Sequence, residues 1–338
     1  MGIFDFLRKG AMPAGQPALR PITAEEAYGE LAGHYSITQN LLATGDFAGF
    51  QALFEQAWQS KQRMPSGERL YQILLGWAEL DLDGPETSDR ELEIYAAGYA
   101  AAPSCFTAGL FACRLYDLAF EVRGEQWAAT VSAQQWGTFV SLHEMARDLL
   151  QRHRSEAQAK GCFVWHWADY VTGLELFAGD ARFHASFEAL WALDRSNLLL
   201  IQNHATRLLP RWYGRSEADA EKFAQHAVAL TRDELGTGAY AAAYGEFANT
   251  GELDVDDTAC DPAQLKQGYR DLYARFAGLC LLNRFANAMS WCNDEAEVLR
   301  LFQLPLEAID HLAWGGDDEE EGLEYARNAY EYARDNAD

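Results

Sequence analysis

The residues whose types and spacing could do chemistry gather between Ser196 and Ser216, in SNLLLIQNHATRLLPRWYGRS. From Arg195 onward this stretch holds four arginines, at 195, 207, 211 and 215, and no carboxylate, in a 338-residue chain with a formal net charge of -24. Asn203, Arg207 and Arg211 step at i, i+4, the spacing that lines one polar stripe of a helix. Arg207, Arg211 and Arg215, with Trp212 and Tyr213, would make an aromatic-cationic patch of the residue types enriched at binding hot spots. A carboxylate-bearing peptide is the natural ligand for such a patch, because guanidinium and carboxylate form paired, charge-assisted hydrogen bonds. The competing role is structural: among 51 acidic residues, these arginines would end in internal salt bridges tying adjacent elements together. Asn203, Arg207, Arg211, Trp212, Tyr213 and Arg215 are therefore the candidate partner-binding residues.

Other reactive types lack the spacing that chemistry requires. His143-Glu144 is followed by Met-Ala-Arg, so the second histidine of a zinc-binding HExxH helix is missing. His166 and Asp169 share a helix face at i, i+3 but stand around Trp167 with Trp165 beside them, which predicts a partly buried hydrogen-bonded pair. The acidic run GELDVDDTACD invites calcium, yet counting from Asp254 puts Ala259 at the EF-hand glycine and Leu265 at its closing glutamate. DDEEE at 317–321 reads as a helix N-terminus, where carboxylates favour the dipole. No GxSxG, phosphate-binding loop or GxGxxG stands between a strand and a helix. The six cysteines form no CxxC pair. Cys105, Cys113, Cys280 and Cys292 lie in apolar helical sequence, where free cysteine behaves as a small buried hydrophobe and a reducing, cytoplasmic compartment is expected. The reading is of a protein with no catalytic residue, cofactor or metal.

The elements that must position these residues are helices. Hydrophobic residues make up 49% and aromatic residues 13% of the chain, ample for a core, and prolines number only nine. Pro210 stops one helix near Leu209, Gly214 serves the loop, and Ser216 with Asp219 forms a capping box for the next. Thr23 with Glu26, Ser88 with Glu91 and Ser132 with Gln135 are further capping boxes. Pro65 opens one helix, Pro103 breaks another, and Pro262 sits at the first position of a third. Asp317 and Glu320 cap a closing acidic helix. Gly45-Asp46 ends one helix and starts the next, and Gly179-Asp180 repeats the device; FEQAW follows at 54–58 and FEALW at 187–191. A looser copy starts at Asn293-Asp294. Helical units recurring without strands predict an all-α fold, an α-solenoid or tetratricopeptide-like array of antiparallel helical hairpins, although the ~34-residue period of that family is not kept. Residues 1–21, rich in Gly and Pro, are expected to be a flexible tail and residues 22–338 a single helical-repeat domain.

LLPRWYGR, with Asp219 and Phe223 downstream and then Asn283-Arg284-Phe285-Ala286, resembles an uncharacterised bacterial family of helical-repeat proteins with a PRWGGS-like signature. The resemblance covers residues 35 to 310 loosely. Here Tyr213 replaces a small residue and Arg215 a serine. What it implies is a fold rather than an activity, and it brings no catalytic residue.

The charge balance narrows the partners. An acidic chain is ill-suited to DNA, RNA or an anionic membrane, whose phosphates need a basic face. No apolar run approaches the ~18 residues of a membrane span. MGIFDFLRK has the start of a myristoylation signal but Phe6 where Ser or Thr is required. Ile3, Phe4 and Leu7 would suit a short amphipathic anchor, against the simpler reading of a frayed end. The expected function is non-catalytic protein binding, with an immunity-type antagonist of a basic partner as its sharper form. The alternative is a hydrolase or transferase whose site is assembled across repeats.

Overall fold

The computed structural model describes residues 18–80, 82, 87–124, 131–174, 181–210, 214–250, 253–304 and 306–336. Among them lie seventeen α-helices and one pair of two-residue strands. In chain order the helices are α1 (Ala24–Tyr28), α2 (Gly33–Ala43), α3 (Phe47–Ser60), α4 (Leu70–Gly76), α5 (Thr87–Ala101), α6 (Cys105–Arg123), α7 (Ala133–Arg152), α8 (Arg154–Lys160) and α9 (Phe163–Leu174). They continue with α10 (Ala181–Trp191), α11 (Leu198–Arg207), α12 (Glu217–Leu235), α13 (Gly238–Thr250), α14 (Pro262–Phe276), α15 (Leu279–Trp291), α16 (Glu295–Phe302) and α17 (Glu319–Asn336). No helix among the described residues is long and apolar enough to cross a membrane.

Local sequence explains many of the boundaries. Thr23 and Glu26, and Ser132 and Gln135, form reciprocal capping boxes. Asp46 accepts from the Gly49 N–H and Asp294 from the Glu297 N–H, so the Asp that follows a helix stop does start the next helix. Gly45 at φ +76° and Asn293 at φ +53° supply the left-handed residues of those stops. Asp180, the second member of the other copy, lies outside the described residues.

Four expected boundaries differ. Pro65 does not open a helix: residues 63–69 form a tight loop closed by the Met64 N–H on the Glu68 carbonyl at 2.8 Å, and α4 starts at Leu70. Ser88 lies inside α5, and its hydroxyl donates to Glu121 at 2.6 Å instead of capping. Ser216 makes no side-chain cap; Asp219 reaches past it to accept the Arg215 N–H at 2.8 Å. At α17 the capping carboxylates are Asp318 and Glu321 rather than Asp317 and Glu320. Only at Ser88 is the competing partner distant in sequence; the other three boundaries are shifted by partners three or four residues away.

Packing follows chain order for much of the molecule: α5 meets α6, α6 meets α7 and α9, α11 and α12 meet α13, and α13 meets α14 and α15. At Gly109 of α6 a methyl group would stand 2.9 Å from the backbone of Val164 and Trp165, so glycine lets α6 and α9 approach closely. The order is then closed by contacts between distant segments. Arg20–Pro21, at the end of the expected tail, pairs in parallel with Ala308–Ile309. Arg69 in the loop before α4 binds Asp194 before α11, and Glu68 binds Arg284 of α15. Trp191 is fully buried, whereas Trp58, its counterpart in the FEQAW segment, is only partly buried under the Lys61 ammonium, 2.8 Å from the ring centroid.

Candidate functional site

The loop before α4 and the start of α11 are locked by one buried network. Arg69 donates to Asp194 from Nε at 2.8 Å and from its terminal nitrogen at 3.2 Å, and to Ser196 Oγ at 2.7 Å. Tyr71 donates to Asp194 at 3.0 Å, and Asn197 donates in turn to the Tyr71 hydroxyl at 2.9 Å and to Gln72 Oε1 at 3.2 Å. Asn197 also caps α11 through the Leu199 and Leu200 N–H groups. Burial alone would raise Asp194, but the hydrogen bonds and charge of Arg69, with Lys61 nearby, hold it below the ordinary carboxylate value. The network fixes Gln72 and the helix that carries Asn203 and Arg207.

Those three residues line a cavity of about 340 Å³ between α4, α6, α9 and α11. Its other polar walls are Glu79, Arg114 and Asp117, with Tyr95, Tyr116 and Trp167 as aromatic surfaces. Arg114 is buried and donates to Glu91 and to Asp117, each at 2.7 Å. Its Nε has no hydrogen-bond partner. Burial raises Asp117 to about 6, against the pull of Arg114; the side chain is still 43% exposed, so water in the cavity tempers that shift. Asn203 donates to the Leu199 carbonyl and accepts from Arg207, whose guanidinium stands 5.8 Å over the Tyr170 ring.

The opening stretch of the sequence is thus divided. Asn203 and Arg207 face this cavity, while exposed Arg215 lines a different one with Asp219, Phe187 and Phe223. Arg211, Trp212 and Tyr213 lie outside the described residues. His204 lies in the same helix, stacked on Phe187 with ring centroids 3.4 Å apart, and burial keeps it neutral, far below its ordinary value. His166 is buried and also lowered, while Asp169 pairs with Arg182 at 3.2 Å, so the expected histidine–carboxylate pair is not formed. Among the described residues no three His, Cys, Asp or Glu side chains are placed to hold a metal. Sequence reading missed Gln72, Arg114 and Asp117. Arg114 had left a signal: one arginine inside CFTAGLFACRLYDLAF, with an acid three residues on, must find partners when its helix is buried.

The cavity does not stand alone. Gln72, Gly76 and Leu199 also line a second cavity of about 410 Å³ that includes Trp77, Glu68 and Arg284. Ser66, Arg284 and Leu312 are shared between that one and a third of about 110 Å³. Asn249 is shared between the third and an open fourth of about 440 Å³ against α17. The four share walls in series.

No family model matches this chain, and neither a curated protein nor a solved structure does. The likeness carried by LLPRWYGR therefore has no family match beside it.

Proposed function

We propose that this is a non-catalytic protein-binding molecule, a tetratricopeptide-like helical array whose row of cavities takes an extended segment of a partner protein. The observation that carries this reading is the series of cavities with common walls, since a row of adjacent hollows suits an extended chain better than one small molecule. Amide and guanidinium groups at intervals, Gln72 and Asn203 with Arg114 and Arg284, offer hydrogen bonds to a peptide backbone. The net charge of -24 adds long-range attraction for a basic partner, and an immunity-type antagonist that covers such a partner is the sharper form of the proposal. Asp117, raised to about 6 beside a buried arginine, favours a second reading, an enzyme with its site assembled across helices. Its neighbours weaken that reading: burial pushes Tyr95 and Cys113 upward, into their protonated and unreactive forms.

The test uses Gly76, where the first two cavities meet. A Cβ added there meets nothing within 4 Å, so Gly76→Trp introduces its ring from an open position at the junction. With the partner captured from the native host and identified, the variant should bind it at least about tenfold more weakly while its melting temperature is unchanged, a loss of about 1.4 kcal/mol. Undiminished binding would remove the row of cavities from the explanation.

A further inference from the structure

The fourth cavity lies against the closing helix, and its walls have a common chemistry. Helix α17 packs inward through Ala326 and Ala333, with Tyr330 against Phe302 at 5.3 Å between ring centroids. Its other face carries Tyr325 and Tyr332, seven residues apart and so two turns along one stripe, 41% and 56% exposed. With Asn328 between them they wall the open cavity of about 440 Å³. The Tyr325 hydroxyl donates to Glu321 at 2.6 Å, which fixes that ring. Across the cavity Asn287 has spent its amide donor on the Ala248 and Ala313 carbonyls. Asn249 presents a buried side-chain oxygen with no hydrogen-bond partner. In sequence the stripe is preceded by Asp317, Asp318, Glu319, Glu320, Glu321 and Glu324, with Arg327 the first cation after them, and Glu321 is the one held against Tyr325.

Some of that acidity serves the helix itself. Asp318 and Glu321 accept backbone N–H groups at its start. Helix capping needs no exposed tyrosine pair and no hollow between them. Two aromatic faces with a carboxylate, Glu321, held against one of them suit a guanidinium, whose planar face stacks on an aromatic ring while its five N–H groups find oxygen acceptors. An anionic ligand would meet repulsion from Glu321 and from the acidic chain as a whole.

We infer that the Tyr325–Tyr332 face of α17 is a docking site for an arginine-bearing basic segment of a partner protein. This rests on the protein-binding reading above and assigns it a second contact, at the α17 end of the row of cavities.

The test is fluorescence anisotropy with a labelled oligo-arginine peptide and the full chain, at low and at physiological ionic strength. Tyr325→Leu with Tyr332→Leu leaves the net charge unchanged, so diffuse attraction is the same in both proteins. Removing both exposed aromatic faces from the guanidinium should weaken binding roughly five- to thirty-fold. Tyr332→Leu alone, at the more exposed ring, should cost roughly two- to five-fold and guards against a fold defect in the double variant. Glu320→Gln with Glu324→Gln should flatten the salt dependence. Equal affinity for the wild type and both tyrosine variants, or no binding at low salt, would overturn the proposal. The Gly76→Trp experiment reports independently: failure there with oligo-arginine binding intact would remove the groove and leave this site standing.

Discussion

Arg69→Met should be among the most damaging single changes in this protein. Arg69 is buried, and its Asp194 partner has a side chain only 5% exposed. Removing the guanidinium strips Asp194 of its two-pronged partner and leaves the Lys61 carbonyl without the Arg69 donor at 2.6 Å. Breaking a buried ion pair by removing one member costs about 3–5 kcal/mol, because the remaining charge stays desolvated. Tyr71, Ser196 and Lys61, at 3.0, 3.0 and 3.8 Å, still reach Asp194 and place the expectation at the lower end of that range. Arg69→Met combined with Asp194→Asn should lose less than the sum of the two single changes, since the asparagine leaves no uncompensated charge.

The pH dependence distinguishes this from a simple packing defect. In the folded protein Asp194 lies below its ordinary value, so as pH falls the unfolded chain takes up its proton first. The stability it contributes is complete above about pH 4 and drains away as pH falls through the depressed folded value. Without Arg69, burial dominates and Asp194 rises, so its proton is taken up more readily by the folded variant. The deficit of Arg69→Met relative to wild type should therefore be largest near about pH 7 and shrink toward about pH 3. Urea midpoints at constant m-value measure it. A neutral-pH deficit below about 1 kcal/mol, or one that does not change with pH, would refute the argument.

The remaining expectations are more compact. Trp191→Ala should cost about 3–5 kcal/mol and Trp58→Ala about half of that, because one ring is fully buried and the other only partly; equal losses in thermal denaturation would restore the equivalence of the two segments. Cys280, buried and pushed up by that burial, should react with a disulfide reagent at neutral pH only after urea unfolding, and prompt reaction in the native protein would contradict its burial. Association with a basic partner should slow steeply as salt is raised while dissociation changes less; stopped-flow rates that ignore salt would take charge out of recognition.

What the sequence made legible follows from the range of the forces involved. Caps at Thr23, Asp46, Ser132 and Asp294 are decided within four residues, so they could be read directly. Ser88 and Glu91 form the same pattern on paper, yet Glu91 is taken by the Leu80 N–H and by Arg114, 23 residues away. The candidate site belongs to this second kind. Gln72 reaches the cavity because Asn197, 125 residues on, binds it, and nothing near Gln72 in sequence signals that partner. The arginines follow the same rule. Arg63, Arg69, Arg114 and Arg284 all form ion pairs that cross between elements or lie under the surface. Each such pair takes one acid with one cation, so the excess of 51 acids over 27 lysines and arginines is left intact. A structural role for these arginines is therefore compatible with an attraction for a basic partner, since neither takes charge from the other.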